Sequence, residues 1–168
     1  CNFQMEDRDF ELRWSRLSME VAKSAQGYNM VSALSGCNHR IECLETFLMP
    51  FPLVGISKDS SGPKLFPNLK HLGVVGAGID ASTIGLVLGF LEANKAITNL
   101  NLSYDRLGYD SMAILAPLLR RGTQLKFLNL SDVSMGPTGA ILIAESLSHN
   151  KSLEYLYLKY DQIRDEGG

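Results

Sequence analysis

The 168-residue sequence lacks a long apolar run, a cluster of basic residues and an excess of either charge. Its longest apolar stretch without charge or proline, residues 81–91, is too short to cross a bilayer, for which a helix needs about 20 residues. The net charge is −2, and this balance argues against a strongly basic nucleic-acid-binding protein. We therefore expect neither a membrane protein nor a nucleic-acid binder.

Cysteine is also scarce, since the chain has only Cys1, Cys37 and Cys43. An odd and small number of cysteines does not form a disulfide framework, so we expect reduced thiols in an intracellular, cytoplasmic protein. The N-terminus lacks the basic and then apolar order of a signal peptide. Because the chain opens at Cys1 without a methionine, we expect a piece of a longer or processed protein.

One apolar pattern recurs four times at a spacing of 28 residues. Each copy has apolar residues at its first, fourth, sixth and eleventh positions, and the copies start at Leu69, Ile97, Leu125 and Leu153. Alternating apolar residues predict a strand with one buried face, and the spacing after the eleventh position becomes helical. The helix residues predicted to face inward are Ile84, Val87, Leu88 and Leu91, then Met112, Leu115, Leu118 and Leu119, then Ile141, Ala144 and Leu147.

This unit resembles the leucine-rich repeat, and its period is similar to that of the ribonuclease-inhibitor-like subclass. The resemblance implies an α/β fold, a right-handed solenoid shaped as a horseshoe arc, with a parallel β-sheet on the concave side and helices on the convex side. Residues 1–40 are expected to form an N-terminal cap or degenerate repeat, and residues 41–168 the repeat segment. The expected repeats are 41–68, which is irregular, 69–96, 97–124, 125–152 and 153–168, which is incomplete.

The sequence departs from the family pattern at the ninth position of the repeat, where asparagine is usual. Here the residues are Ala77, Asp105, Val133 and Asp161. Aspartate can accept hydrogen bonds from backbone N–H groups, but alanine and valine cannot. We therefore expect that the row of hydrogen bonds from ninth-position side chains to successive turns is interrupted, and that the chain is a divergent member of the family. The last copy has no helix to cover its strand, so we expect that the chain continues beyond Gly168 or that a partner covers this end.

In this architecture the third, fifth and seventh positions of each strand are expected to face the concave surface. The seventh positions include Val75, Ser103 and Ser131. Clustered exposed aromatic residues are typical anchors of protein interfaces. The candidate partner-binding residues are Phe127, Asn129, Tyr155, Tyr157, Lys159, Tyr160, Tyr104, Asn99 and Asn101. The alternative for Tyr155 and Tyr157 is local cover by a following repeat.

The resemblance implies a non-catalytic scaffold or recognition module that binds another protein and needs no cofactor. One alternative is a GTPase-activating or regulatory leucine-rich-repeat protein, which would use Asp105, Arg106 and Asp132 at the strand ends. Others are the repeat segment of an intracellular immune sensor or of an axonemal or cytoskeletal complex, with a corresponding location at the cytoskeleton or cilium. The sequence shows no Ser, His and Asp in the motifs of a catalytic triad and no phosphate-binding loop, so we do not expect an enzyme.

Two further patterns suggest ligand sites. The Gly76-Ala-Gly78 turn after a strand is similar to a dinucleotide-binding loop, but later strands also end in acidic residues without these glycines. Cys37, His39 and Cys43 could supply three metal ligands, whereas a structural zinc site uses four. We therefore favour a repeat turn for the first pattern, and a turn followed by a strand for the second, with no metal.

Overall fold

The computed structural model describes residues 42–47 and 67–164. These residues form five strands and three helices, in the order β1 (Cys43–Phe47), β2 (His71–Val75), α1 (Ile84–Ala93), β3 (Asn99–Asn101), α2 (Gly108–Arg120), β4 (Phe127–Asn129), α3 (Gly136–Leu147) and β5 (Tyr155–Tyr157). Among the described helices, none is both long and apolar enough to traverse a lipid bilayer.

The strands form one parallel sheet in sequence order, from β1 to β5. Leu72 pairs with Leu100, which pairs with Leu128, and Leu128 pairs with Leu156, so each step along the sheet is one 28-residue period. Parallel neighbours need a crossover connection, and one helix lies in each crossover from β2 to β5. The prediction of an α/β fold with a parallel sheet is confirmed.

The repeated apolar positions form the core. The first, fourth and sixth positions of three successive copies are at most 1% exposed; they are Leu69, Leu72, Val74, Ile97, Leu100, Leu102, Leu125, Leu128 and Leu130. Burial of each such side chain contributes about 1.5–3 kcal/mol. In the last copy, Leu153, Leu156, Leu158 and Ile163 are only partly buried, although they pack against the same core.

The buried faces of α1 and α2 contain the residues that the helical spacing predicts. The predicted face of α3 is wrong for Ile141 and Ala144, which are exposed, whereas Leu147 is half-buried and packs against the core. Its buried residues are Gly139, Ala140, Ile143 and Ser146. The reason is a close approach at Gly139, where a Cβ atom would lie 3.0 Å from Met135 Cβ and 3.2 Å from Met112 Cγ of α2.

Candidate functional site

The sheet presents two rows of side chains beside its buried leucines. One row is Asn99, Phe127 and Tyr155, and the other is Asn101, Asn129 and Tyr157, with members of each row paired across adjacent strands. Successive residues of a strand face opposite sides of the sheet, so burial of the leucines leaves both rows on the other side. We call these six residues the aromatic–amide face. The structure thus brings together six of the nine residues that the sequence nominated.

The aromatic residues lie at the β4–β5 end of this face. Tyr155 is 59% exposed and Tyr157 is 40% exposed, while Phe127 is half-buried. The ring centroids of Phe127 and Tyr157 are 5.2 Å apart, with an interplanar angle of 39°. This distance lies within the range of favourable aromatic pairs, which contribute about 0.5–1.5 kcal/mol. Phe127, Tyr155 and Tyr157 thus form an apolar patch on the sheet, with the hydroxyl groups of the two tyrosines at its surface.

The asparagine residues of the face are held by their side-chain oxygens. Asn101 Oδ1 accepts hydrogen bonds from the Ser103 backbone N–H at 3.1 Å and from Ser103 Oγ at 2.8 Å. Asn129 Oδ1 accepts from the Ser131 backbone N–H at 3.0 Å. A backbone N–H can only donate, so these bonds fix which end of each amide is the oxygen. Each Nδ2 group therefore remains as a donor pair.

The seventh positions do not belong to this surface as expected. Val75, Ser103 and Ser131 are 7%, 3% and 8% exposed, so the expectation that seventh positions form the binding surface is wrong for these three residues. Strands β3 and β4 end at the fifth position, and the two serines then bond within the turns that follow. Lys159 is exposed, and its backbone N–H donates to Ser131 Oγ at 3.2 Å.

The turn at the end of each strand repeats an unusual backbone conformation. The eighth positions Gly76, Tyr104, Asp132 and Tyr160 have φ values of 58°, 62°, 55° and 66°. This left-handed region costs about 1–2 kcal/mol for residues other than glycine. The repeat turn therefore accounts for Gly76, and Gly78 also has a left-handed φ of 76°. The glycines of the proposed dinucleotide loop need no nucleotide to explain them.

The same turns hold two tyrosines at the rim of the aromatic–amide face. Tyr104 is 57% exposed and Tyr160 is 76% exposed. The repeat turn accounts for this conformation at Tyr104 and Tyr160 as it does at Gly76, and it leaves both aromatic rings exposed. Both residues were nominated from the sequence, but their left-handed conformation could not be read from it.

Two buried aspartates at the ninth position tie neighbouring turns together. Asp105 Oδ1 accepts from the Ile79 N–H at 2.9 Å, and Asp161 Oδ1 accepts from the Val133 N–H at 2.8 Å. Each carboxylate thus serves the turn of the preceding copy, where Ala77 or Val133 has no side-chain acceptor. The expectation that aspartate would accept from backbone N–H groups is confirmed. Asp105 is only 2% exposed, so of the residues proposed to contact a GTPase only Arg106 and Asp132 are exposed.

Burial also changes the acidity of these carboxyl groups. Desolvation raises the pKa of Asp105 above its ordinary value, although backbone N–H groups of the 77–79 turn partly oppose the shift. Desolvation likewise raises the pKa of Asp161, and the charge of Asp132 adds to the shift. Within the described residues, Oδ2 of each aspartate is buried without a hydrogen-bond partner. An ionised carboxylate at these positions is therefore costly.

Replacement of Asp105 by asparagine is expected to raise the free energy of unfolding at neutral pH, because burial penalises the ionised carboxylate. Asn keeps the oxygen that accepts from Ile79 and removes the buried charge. Burial raises the folded-state pKa of Asp105, so the ionised carboxylate destabilises the folded state fully at pH values above that pKa. This destabilisation disappears as the pH falls toward 3.8, because the carboxyl group is then protonated in the folded state. Urea unfolding across this pH range should show the gain shrink. A gain that persists in acid would contradict this assignment; Glu145→Gln, at an exposed residue of α3, is the control.

The metal alternative cannot be followed in full. Cys37 and His39 lie outside the described residues, and for Cys43 only the backbone in β1 is described. In the part of the chain that is described, no group of three or more His, Cys, Asp or Glu residues is placed to hold a metal ion.

A second surface feature, which sequence reasoning missed, lies between α2 and α3. It is a shallow cleft of about 390 Å³ lined by Tyr109, Thr138, Ile141, Leu142 and Glu145. Tyr109 is 50% exposed and Ile141 is 41% exposed. The only signal in the sequence is Tyr109, an aromatic residue at the start of a helix, which by itself does not indicate a cleft.

Comparison with known proteins shows a similarity over part of the chain. No protein-family model matches the sequence. A stretch of 99 residues, 58% of the chain, is 28% identical to "NACHT, LRR and PYD domains-containing protein 3" of Rattus norvegicus. The match spans 10% of the length of that protein. The chain is therefore similar, over part of its length, to a protein whose name includes a leucine-rich-repeat (LRR) domain.

Proposed function

We propose that this chain is a segment of a leucine-rich-repeat solenoid of the ribonuclease-inhibitor-like type and acts as a non-catalytic protein-interaction module in the cytoplasm. The observation that carries the proposal is the cluster of Phe127, Tyr155 and Tyr157 on the sheet, with both tyrosines exposed. The 28-residue register of the sheet supports the repeat, and the partial similarity to an LRR-containing protein agrees with it.

In this proposal the aromatic–amide face lies on the concave side, with the helices on the convex side. The domain division stays a prediction from the sequence: an N-terminal cap or degenerate repeat in 1–40, an irregular repeat in 41–68, repeats in 69–96, 97–124 and 125–152, and an incomplete one in 153–168. Residues 1–41 and 48–66 lie outside the described residues. Because the relative is much longer than this chain, the role of a whole protein is not transferred from it.

The aromatic–amide face has the properties of a protein-binding surface. Interface energy concentrates in a few well-packed aromatic residues, surrounded by polar contacts that exclude water. Tyr155 and Tyr157 offer large contact area with few rotatable bonds, and their hydroxyls can still form hydrogen bonds. Lys159, Tyr104 and Tyr160 complete the proposed site at its rim.

Replacement of both Tyr155 and Tyr157 by aspartate is expected to abolish partner capture. Each change removes an aromatic anchor and places a charge where the interface would be desolvated, and one hot-spot residue contributes about 2 kcal/mol or more. The wild-type chain and the variant would be used as baits in a quantitative pull-down from cell lysate, with captured proteins identified by mass spectrometry. The affinity of each identified protein would then be measured with purified components.

The matched control is the double variant Tyr109→Asp and Ile114→Asp, which adds the same charge at exposed residues of α2. Circular dichroism would establish that both variants are folded. If the Tyr155/Tyr157 variant retains every captured protein at the wild-type affinity, the aromatic–amide face is not the binding surface and the proposal fails.

A further inference from the structure

The aromatic–amide face offers more hydrogen-bond donors than acceptors. The side-chain oxygens of Asn101 and Asn129 are occupied by backbone N–H groups of the following turns. The Asn99 oxygen accepts from Thr98 Oγ1 at 2.8 Å. Each Nδ2 group carries two donors, and those of Asn101 and Asn129, whose oxygens are fixed by backbone N–H groups, meet no acceptor within residues 42–47 and 67–164. The orientation that leaves these donors available is set by the fold itself.

Lys159 adds a positive charge at the rim of this face. It is exposed, and the ion pairs of the described residues do not include it. Its ammonium group supplies three further donors and no acceptor.

Acidic side chains are correspondingly scarce at this surface. The third and fifth positions of β2 to β5 carry no acid; they are His71, Gly73, Asn99, Asn101, Phe127, Asn129, Tyr155 and Tyr157. Glu154, next to Tyr155, is paired with Lys126 at 2.8 Å. Asp105 and Asp161 are buried and bonded to turns. Asp132 is exposed at the rim, where its backbone N–H donates to the carbonyl oxygen of Lys159 at 2.7 Å.

We infer that the aromatic–amide face takes an acidic peptide segment of a partner protein. Its carboxylates accept hydrogen bonds from Lys159 and from the Nδ2 groups of Asn101 and Asn129, while an apolar side chain packs on the rings of Phe127 and Tyr157. Hydrogen bonds from such donors to an ionised carboxylate are stronger than those between neutral groups. This inference rests on the proposed function, because it names the chemistry of the partner at that same site.

A random dodecapeptide phage library tests the inference without a known partner. The library would be selected on the wild-type chain and on two variants with the same charge change, Lys159→Glu and Lys151→Glu. Lys151 is exposed in the turn before β5, outside the face. We expect wild-type and Lys151→Glu chains to enrich peptides that combine Asp or Glu with an aromatic or aliphatic residue, and Lys159→Glu to lose them.

The most enriched peptide would then be synthesised and measured by fluorescence anisotropy. We expect Lys159→Glu to weaken binding by about tenfold and Lys151→Glu by less than about twofold. Replacement of each Glu of the peptide by Gln should weaken binding to the wild-type chain by at least as much. Added salt should weaken the binding of the acidic peptide and leave the binding of the Gln peptide nearly unchanged.

Three results would overturn the inference. In the first, neutral or basic peptides are enriched and bind the wild-type chain but not the Tyr155/Tyr157 variant. This result would reject the acidic ligand and leave the proposed function intact. Absence of any enriched peptide would also reject the acidic ligand, while the pull-down separately decides the proposed function. A single-stranded oligonucleotide that binds as tightly as the peptide and depends on Lys159 would show that phosphate, not a protein carboxylate, is the ligand.

Discussion

Replacement of Ile143 by alanine is expected to lower the free energy of unfolding by about 2–4 kcal/mol, whereas Ile141→Ala in the same helix costs less than about 1 kcal/mol. Ile143 is 1% exposed and belongs to the hydrophobic core, but Ile141 is 41% exposed. Removal of the buried side chain loses its transfer free energy and leaves a cavity between α3 and its neighbours. Removal of the Ile141 side chain loses less transfer free energy, because this side chain is already partly in contact with water.

Urea unfolding followed by circular dichroism measures both variants under one condition. The two substitutions make the same change in helix propensity, because both replace isoleucine by alanine inside α3. The difference between them therefore reports burial alone. Equal losses, or a larger loss for Ile141→Ala, would mean that α3 packs through the face that the sequence pattern favours.

The error on α3 has a definite physical origin. Residues 140–144 are Ala, Ile, Leu, Ile and Ala in succession, so apolar spacing alone allows more than one buried face. Residues 112–119 of α2 are also apolar without interruption, but there the residues chosen from the helical spacing coincide with the buried face. What decides α3 is the close contact of Gly139 with Met112 and Met135, a tertiary constraint that periodicity does not contain.

The strand register was predictable for the opposite reason. The fourth and sixth positions are Leu or Val in each of the four copies and recur at one fixed period, so adjacent copies can stack these residues on one another in a single way. The same alternation placed Tyr155 and Tyr157 on the exposed side. It failed at Ser103 and Ser131, because β3 and β4 end at the fifth position and these serines lie in the turns that follow, where alternation no longer applies. It also failed at Val75, which is the last residue of β2 and is buried.

Other parts of the candidate site needed atomic contacts. The amide orientation of Asn101 and Asn129 depends on backbone N–H groups of the turns that follow, and the sequence does not show how these turns bend. The cleft beside Tyr109 depends on how α2 and α3 pack. By contrast, the sequence correctly indicated that aspartate at the ninth position could bond to backbone, because that conclusion needs only the chemistry of the side chain.

Replacement of Asp105 by alanine is expected to lower the free energy of unfolding by about 2–4 kcal/mol. Among the described residues, Asp105 is the side-chain acceptor of the Ile79 N–H, and the change leaves that buried group without this partner. It also removes the support that the carboxylate gives to the rest of the 77–79 turn. Asp105→Asn, which retains the acceptor, should not lose stability, and Glu145→Ala, at an exposed residue of α3, should change it by less than about 0.5 kcal/mol.

Amide hydrogen exchange gives a local readout of the same bond. In the Asp105→Ala variant the Ile79 amide should exchange faster by more than the global loss of stability explains, because opening of the 77–79 turn no longer breaks a hydrogen bond. Leu107 is an internal reference, since it occupies the equivalent position one copy later, and the following copy has Val133, which has no side-chain acceptor, at the position equivalent to Asp105. If the Ile79 amide exchanges as slowly in the variant as in the wild type, Asp105 does not hold this turn. Adjacent turns would then be held together by their backbone contacts.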